Sequence, residues 1–273
     1  GEVLMSVLVT KPPLGAEIDW MHPLSLGLRS CLLFNEGRGL PLDLAHGKRV
    51  RNTSQQQWVS GARGACLAGN GTYYLDHLAT QPFHEVTILH RIYYHTISAP
   101  RNYTLATTGF QTTPGISRGN RNFLLHFMGN TGEIFLYADI VDGGDDGKWT
   151  RLTGTTRVDV GSWYDIVATY SPSAGGAIYV NGRLVPDTVK PPVGDLYTKR
   201  TDPVRYYGHA SSPCYNSDHF RLYDRALSAE EIAWLYREPY AGIKSPAKPK
   251  SKRYFSISRR PRVHHVRRPR LDP

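Results

Sequence analysis

Residues 163–185 read "WYDIVATYSPSAGGAIYVNGRLV". In "WYDIVATY", Tyr164, Ile166, Ala168 and Tyr170 fall on one face of an extended chain, and Asp165, Val167 and Thr169 on the other, because successive strand side chains point to opposite faces. "SPSAGG" is a loose turn and "AIYV" a return strand. Asn181-Gly182 then stands between Val180 and Arg183. A type I′ turn needs positive φ at both central residues, and Asn-Gly supplies it at least cost. "RLV" follows as the third strand of a meander.

Further strands read outward from this hairpin. "GLRSCLLFNEG", "CLAGNGTYYLDH" after its Gly-Asn-Gly turn signal, "NYTLATTGF", "NFLLHFMG", "GEIFLYADIV" and "WTRLTGTT" are short and bounded by Gly, Asn and Asp. "EVTILHRIYYHT" is the strongest, rich in β-branched and aromatic residues. Spacing of about ten residues without strand–helix alternation predicts an all-β sandwich or barrel. One short C-terminal helix is predicted within "LSAEEIAWLYREPY". Ser228 and Glu231 form a capping box, Leu227 and Ile232 a hydrophobic staple. Ile232, Leu235 and Tyr236 make an apolar stripe, and Pro239 and Gly242 stop the helix. The expected organisation is an extended, Pro-punctuated arm over residues 1–26, a sandwich over 27–240 and a basic Pro/Arg-rich tail over 241–273.

The 273 residues are 40% hydrophobic and 21% charged, enough for one sizeable core. The net charge of +10 is not evenly spread. From Lys244 onward lie eleven Lys/Arg and one acid, Asp272, so the body is neutral. A Pro-rich basic tail without apolar periodicity cannot offset its ordering entropy alone. No apolar run reaches the roughly 18 residues of a membrane span. Cys31, Cys66 and Cys214 are too few and scattered for a disulfide framework or a CxxC metal site. Three buried thiols is the favoured reading, a single bridge the alternative.

"WYDIVATYSPSAGGAIYVNGRLV", "DHFRLYDRALSAEEIAWLY" and "GLRSCLLFNEGRGLPLDLAHGKR" resemble the central hairpin, the closing strand and helix, and the opening strand of laminin-G-like, concanavalin A-like modules. Leu33 stands where the family often has an aromatic. The resemblance spans nearly the whole body. It implies a two-sheet antiparallel jelly-roll sandwich with first and last strands adjacent. Such a fold hosts many functions and decides none.

Glucanases on this fold place paired acids on one strand face in an E-x-D-x-x-E pattern. Here "EIDWMH" offers Glu17 and Asp19, with His22 at the third acid, so a surface arm is the stronger reading. "GISRG" places Ser117 after "QTTP" and before the strand-like "NRNFLLHF", whereas a nucleophile elbow needs a strand before the serine and a helix after it. "HEVTILH" is not HExxH, and His84, Glu85 and His90 on a strand read as partly exposed residues. No catalytic residue and no cofactor is assigned, Ca²⁺ excepted. Asp142, Asp145 and Asp146 in "DGGDDG" offer oxygen ligands for Ca²⁺. The loop lacks an EF-type spacing, which favours a solvated turn.

For a glycan, Tyr206, Tyr207, Tyr215 and Asn216 stand near one loop and Trp149 flanks the acidic one. The alternative is that these aromatics build the core. A looser resemblance links "KPPLGAEIDWMHPLSLGL", "LYREPYA" and the basic tail to laminin-G-like proteins of tailed-phage virions. It implies a virion location, with a secreted or cell-surface module as the alternative. Arm and tail would then dock assembly partners. In the tail, Arg253, Arg259, Arg260, Arg262, Arg267, Arg268 and Arg270 could also neutralise nucleic-acid phosphates, with Tyr254 and Phe255 stacking on bases. Its prolines favour an extended strap in a protein groove. The expected function is a non-catalytic virion attachment or structural protein, then a carbohydrate-binding module, then a glycosidase.

Overall fold

A computed structural model describes residues 10–52, 56–68, 72–79, 83–95, 102–108, 123–128, 133–140, 148–186, 204–207 and 215–246. In chain order the strands are β1 Glu17–Ile18, β2 Leu28–Leu32, β3 Leu42–Asp43, β4 Lys48–Arg49, β5 Arg51–Asn52, β6 Trp58–Gly61, β7 Gly64–Ala68, β8 Thr72–Leu75, β9 Val86–Tyr94 and β10 Asn102–Thr108. There follow β11 Phe123–Met128, β12 Glu133–Ile140, β13 Lys148–Arg157, β14 Trp163–Ser171, β15 Gly175–Val180, β16 Arg183–Leu184, β17 Val204–Tyr207, β18 Tyr215–Tyr223 and β19 Ile243–Lys244. The helix α1 is Ala229–Arg237.

Among the described residues these strands form two large antiparallel sheets. One has seven strands in the order β13-β12-β11-β10-β17-β8-β5. The other has ten, along β16-β15-β14-β9-β18-β2-β3-β4, with β7 on β18 and β6 on β7. The strand read as strongest, β9, is central. The first body strand, β2, pairs with the last, β18, as Leu32 opposite Phe220. β7 and β8, flanking the Gly-Asn-Gly signal, belong to different sheets; residues 69–71 lie outside the described residues.

Alternation explains the layers. Ile166, Ala168 and Tyr170 of β14 join Val86, Ile88 and Ile92 of β9 in a core shared with Tyr73, Leu105, Leu125 and Val204 of the seven-stranded sheet. Tyr164 packs at its margin. The other face of the ten-stranded sheet is also buried. Leu89, Val167 and Tyr179 there meet Ile232 and Leu235 of α1 and Ile18 and Leu24 of the N-terminal segment. Each such aliphatic side chain contributes about 1.5–3 kcal/mol when fully buried. Tyr236, read as part of the helix stripe, is 42% exposed and lies over Gly182 instead.

Both ends reach further into the fold than the periodicity implies. Residues 16–26 do not trail away. β1 pairs with β19, as Glu17 opposite Lys244 and Ile18 opposite Ile243. The Asp19 amide donates to the Gly242 carbonyl at 2.8 Å. Buried Arg221 donates to the Pro239 and Ala241 carbonyls at 2.9 and 3.1 Å. These contacts carry the ordered body from the arm through Lys244, past a boundary at Tyr240. Two-residue strands have no alternation to read, which is why the sequence pattern stops short.

Local signals hold where geometry is local. Ser228 Oγ accepts from the Glu231 amide while Glu231 reaches back to the Ser228 amide, completing the capping box. Asn181 and Gly182 have φ of 51° and 73°. Asn181 Oδ1 also accepts from the Asp165 amide at 2.9 Å. A Cβ at Gly182 would stand 2.8 Å from Tyr236 Cβ. Asn181→Val should therefore lower stability by about 1–3 kcal/mol, the scale of strained backbone, and Gly182→Val by more. Urea denaturation of both variants tests this. Transitions that match the parent would contradict the turn assignment.

Candidate functional site

The N-terminal segment displays apolar side chains from a fixed backbone. Trp20 is 57% exposed, Met21 90% and Leu26 70%. Their order comes from neighbours. Asp19 Oδ1 accepts from the Met21 amide at 3.1 Å and pairs with Lys244 Nζ at 2.7 Å. His22 Nδ1 accepts from the Leu24 amide at 3.1 Å and caps a 3₁₀ turn, and its ring packs 5.1 Å from Trp234.

An open groove of about 510 Å³ runs beside Trp20 and Leu26, floored by Gly27 and flanked by Arg29, Asp224 and Arg225. Gly27 has φ of 71°, and a Cβ there would stand 2.8 Å from Asp224 Oδ1. Arg29 pairs with Asp224 at 2.9 Å, both about one-third exposed. Arg225 forks onto Glu231 at 2.8 and 2.7 Å and donates to the Leu26 carbonyl. The groove thus joins an exposed indole to a partly buried ion pair. It can stack a flat apolar face and hydrogen-bond to polar groups beside it.

Of the acids weighed for chemistry, Glu17 is exposed on β1 with its backbone paired to Lys244, whereas Asp19 and Glu85 are engaged otherwise. The Lys244 hydrogen bond holds the Asp19 carboxyl below its usual range. Glu85 accepts from the Ala226 amide at 3.1 Å. His84 is exposed. His90, read as partly exposed, is fully buried between Tyr215 and Phe220, with Nε2 3.1 Å from Ser217 Oγ. Its alternation puts it in the core with Ile88 and Ile92. Ser117 lies outside the described residues.

Of the aromatics expected to gather for a glycan, the structure describes the side chain of Tyr215 alone. Tyr215 is buried in the core and offers no face to a sugar, a correction with a plain cause: it occupies an inward position of β18. Asn216 is half-buried beside it, opposite Ala68 and Tyr93. The backbone of Tyr206 and Tyr207 lies in β17 between β10 and β8. Trp149 lies in edge strand β13, opposite Asp139. Four strand spacings separate β13 from β17, about 19 Å. Asp142, Asp145, Asp146 and the tail arginines lie outside the described residues. Cys31 and Cys66 are buried free thiols, pushed up by burial to about 11 and about 12. Cys214 lies outside the described residues.

For a metal, Asp43, His46 and His77 each bring one ligand atom within 4.8 Å of the others. Neither they nor Trp20 stands out in the sequence reading. Trp20 lies in the segment expected to be an arm, and the metal-type side chains come from β3 and the turn after it and from the 3₁₀ turn after β8.

Residues 68–233 match the family described as the concanavalin A-like lectin/glucanases superfamily. The chain belongs to this superfamily. No curated protein matches it. Among solved structures, domain 4 of AbnA, an extracellular arabinanase from Geobacillus stearothermophilus in complex with arabinotriose, is similar at TM-score 0.56 and 14% identity, over 77% of this chain and 98% of that one. The binding domain of Paraclostridial Mosquitocidal Protein 1 is similar at 0.61 and 14%, over 78% and 52%. Trypanosoma rangeli sialidase in complex with sialic acid is similar at 0.52 and 15%, over 78% and 33%. The chain therefore spans about half of the toxin domain and a third of the sialidase. At these identities the likeness is one of fold.

The buried histidine sets a pH response. Burial drives the His90 pKa from 6.5 down to about 3. Burial also lowers that of His219, against the pull of Asp218. Unfolded histidine takes up a proton near pH 6.5, whereas folded His90 does not until about pH 3. Stability is thus full above pH 6.5 and falls as pH drops toward 3, by about 2 kcal/mol from His90 between pH 6.5 and 5. Urea midpoints across this range should show the fall, and His90→Gln should flatten it. A slope unchanged by the substitution would contradict the assignment.

Proposed function

We propose that this chain is a non-catalytic attachment protein of a virion, docked to assembly partners through its N-terminal segment and basic tail. The observation that carries the reading is the display of Trp20, Met21 and Leu26 on a backbone clamped at both ends. Apolar side chains gathered on an ordered surface suit a protein contact. The ten Lys/Arg from Lys248 onward add a segment that orders against a partner. The acids near the groove, Asp224 and Glu231, are held by Arg29 and Arg225, which suits binding rather than proton transfer.

A second reading is a carbohydrate-binding module. The exposed Trp20 ring beside the Arg29–Asp224 pair supports it, as does likeness to an arabinanase domain seen with arabinotriose. Tyr206, Tyr207 and Trp149, with Ca²⁺ at Asp142, Asp145 and Asp146, would be secondary elements of that reading.

The test is co-sedimentation with particles or with immobilised polysaccharide. Trp20→Ala combined with Met21→Ser should keep the parent's unfolding transition and lose particle association by about tenfold or more, on the scale of two interface anchors. Saturable oligosaccharide binding that quenches tryptophan fluorescence and is lost with Trp20→Ala would establish the second reading instead. Particle association equal to the parent's would overturn the first.

A further inference from the structure

Asp43, His46 and His77 do not line the Trp20 groove, and the proposed function does not use them. We propose that they form a binding site for a divalent transition ion of the zinc class, stapling one sheet to the other. Asp43 ends β3 of the ten-stranded sheet, and His77 lies in the 3₁₀ turn Asp76–Leu78 that follows β8 of the seven-stranded sheet.

Each donor is oriented by a second partner. Asp43 Oδ1 accepts from the Cys31 and Ala45 amides at 2.9 and 3.0 Å. This fixes the carboxylate plane and leaves Oδ2 turned to His77 Nε2, 2.8 Å away. His46 Nε2 lies 3.0 Å from the Arg29 carbonyl. A carbonyl only accepts, so Nε2 carries the proton and Nδ1 keeps its lone pair. Metal-binding histidines are characteristically held in this way, with the other ring nitrogen donating to a carbonyl. The turn that carries His77 is fixed in turn, since Asp76 takes a bidentate bond from Arg51 at 2.6 and 2.9 Å. The His46 and His77 rings are 4.6 Å apart.

Asp43 is fully buried, the His77 side chain is 6% exposed, and His46 faces solvent. An ion can therefore enter past His46 and keep a water on its open side. Tetrahedral bonds of about 2.0–2.1 Å place ligand atoms roughly 3.4 Å apart. The three ligand atoms lie within 4.8 Å of one another, and the exposed His46 ring can rotate to meet that separation. On binding, the His77 Nε2 proton leaves to solvent or passes to Nδ1, and the freed Nε2 lone pair joins Asp43 Oδ2 on the ion. Two imidazoles and one carboxylate suit zinc, nickel or copper, whereas Ca²⁺ prefers an all-oxygen set.

The experiment titrates ZnCl₂ into the full chain after EDTA stripping, by calorimetry and by thermal denaturation. His46 is the informative position, because its exposed ring can be removed without opening the core. The parent should bind one ion at this site and melt higher with zinc, since an ion that binds only the folded state stabilises it. His46→Ala should lose about tenfold or more in affinity for that ion, as losses around metal sites do, and the same zinc concentration should raise its melting less than the parent's. The tail's His264 and His265 offer a competing pair, and His264→Ala with His265→Ala should leave the site intact. Absence of saturable zinc binding in the parent, or binding and melting unchanged in His46→Ala, would overturn the proposal.

Discussion

Asp218 is the carboxylate that joins the first and last described segments of the chain, through Lys11 and Tyr240. A bulge in β18 between Ser217 and His219 puts an extra residue opposite β9. Asp218 and His219 are thereby sent together to the face that α1 covers, away from the sandwich core. Lys11 Nζ lies 3.1 Å from Asp218 Oδ1, and Arg63 and Arg91 approach Oδ2 at 3.9 and 3.8 Å. His219 Nδ1 and Tyr240 Oη meet Oδ2 at 3.1 and 3.3 Å. Burial pushes this carboxyl up, but the His219 hydrogen bond and the Lys11 charge outweigh it and keep Asp218 ionised far below the usual range. Removing one partner of such a group strands buried charge, at a cost of about 3–5 kcal/mol.

The network acts across sequence. Lys11 comes from the N-terminal segment and also donates to the Phe34 carbonyl at 3.1 Å and to that of Ala65. Arg63 comes from the β6–β7 turn, Arg91 from β9 and Tyr240 from the turn after α1. Arg91 also pairs with Asp165, whose amide is bound by Asn181 Oδ1. The hairpin turn, the central strands and both ends thus share one set of charges. Buried ion pairs fix geometry more than they add stability. That geometry holds the segment on which Trp20 and Met21 are displayed, and an ordered surface binds without first paying for its own ordering.

Much of the fold was legible because its determinants are local. The alternation of residues 164–170, the Asn181-Gly182 turn and the Ser228–Glu231 capping box each specify geometry within a few residues, and each occurs as read. The site was mostly illegible. A buried tyrosine and a sugar-stacking one look alike in a strand, so Tyr215 could not be told from an exposed ring. His90 is buried by Tyr215, Phe220 and Ser217, which lie far along the chain. Asp218 looks like any polar strand residue until a partner strand reveals the bulge. Trp20 sits in a segment whose two-residue strand finds its partner only at Ile243–Lys244. Asp43, His46 and His77 show no metal-type spacing because the site bridges two sheets.

Urea denaturation of Asp218→Asn, read with hydrogen exchange of residues 16–26 and 240–244, tests the central claim most directly. The substitution keeps the shape and removes the charge facing Lys11, Arg63 and Arg91. The account predicts a loss of about 3–5 kcal/mol, with exchange accelerated first in those two end segments. A variant within about 1 kcal/mol of the parent, with both segments equally protected, would show that the ends are held without the Asp218 charge and would contradict the account.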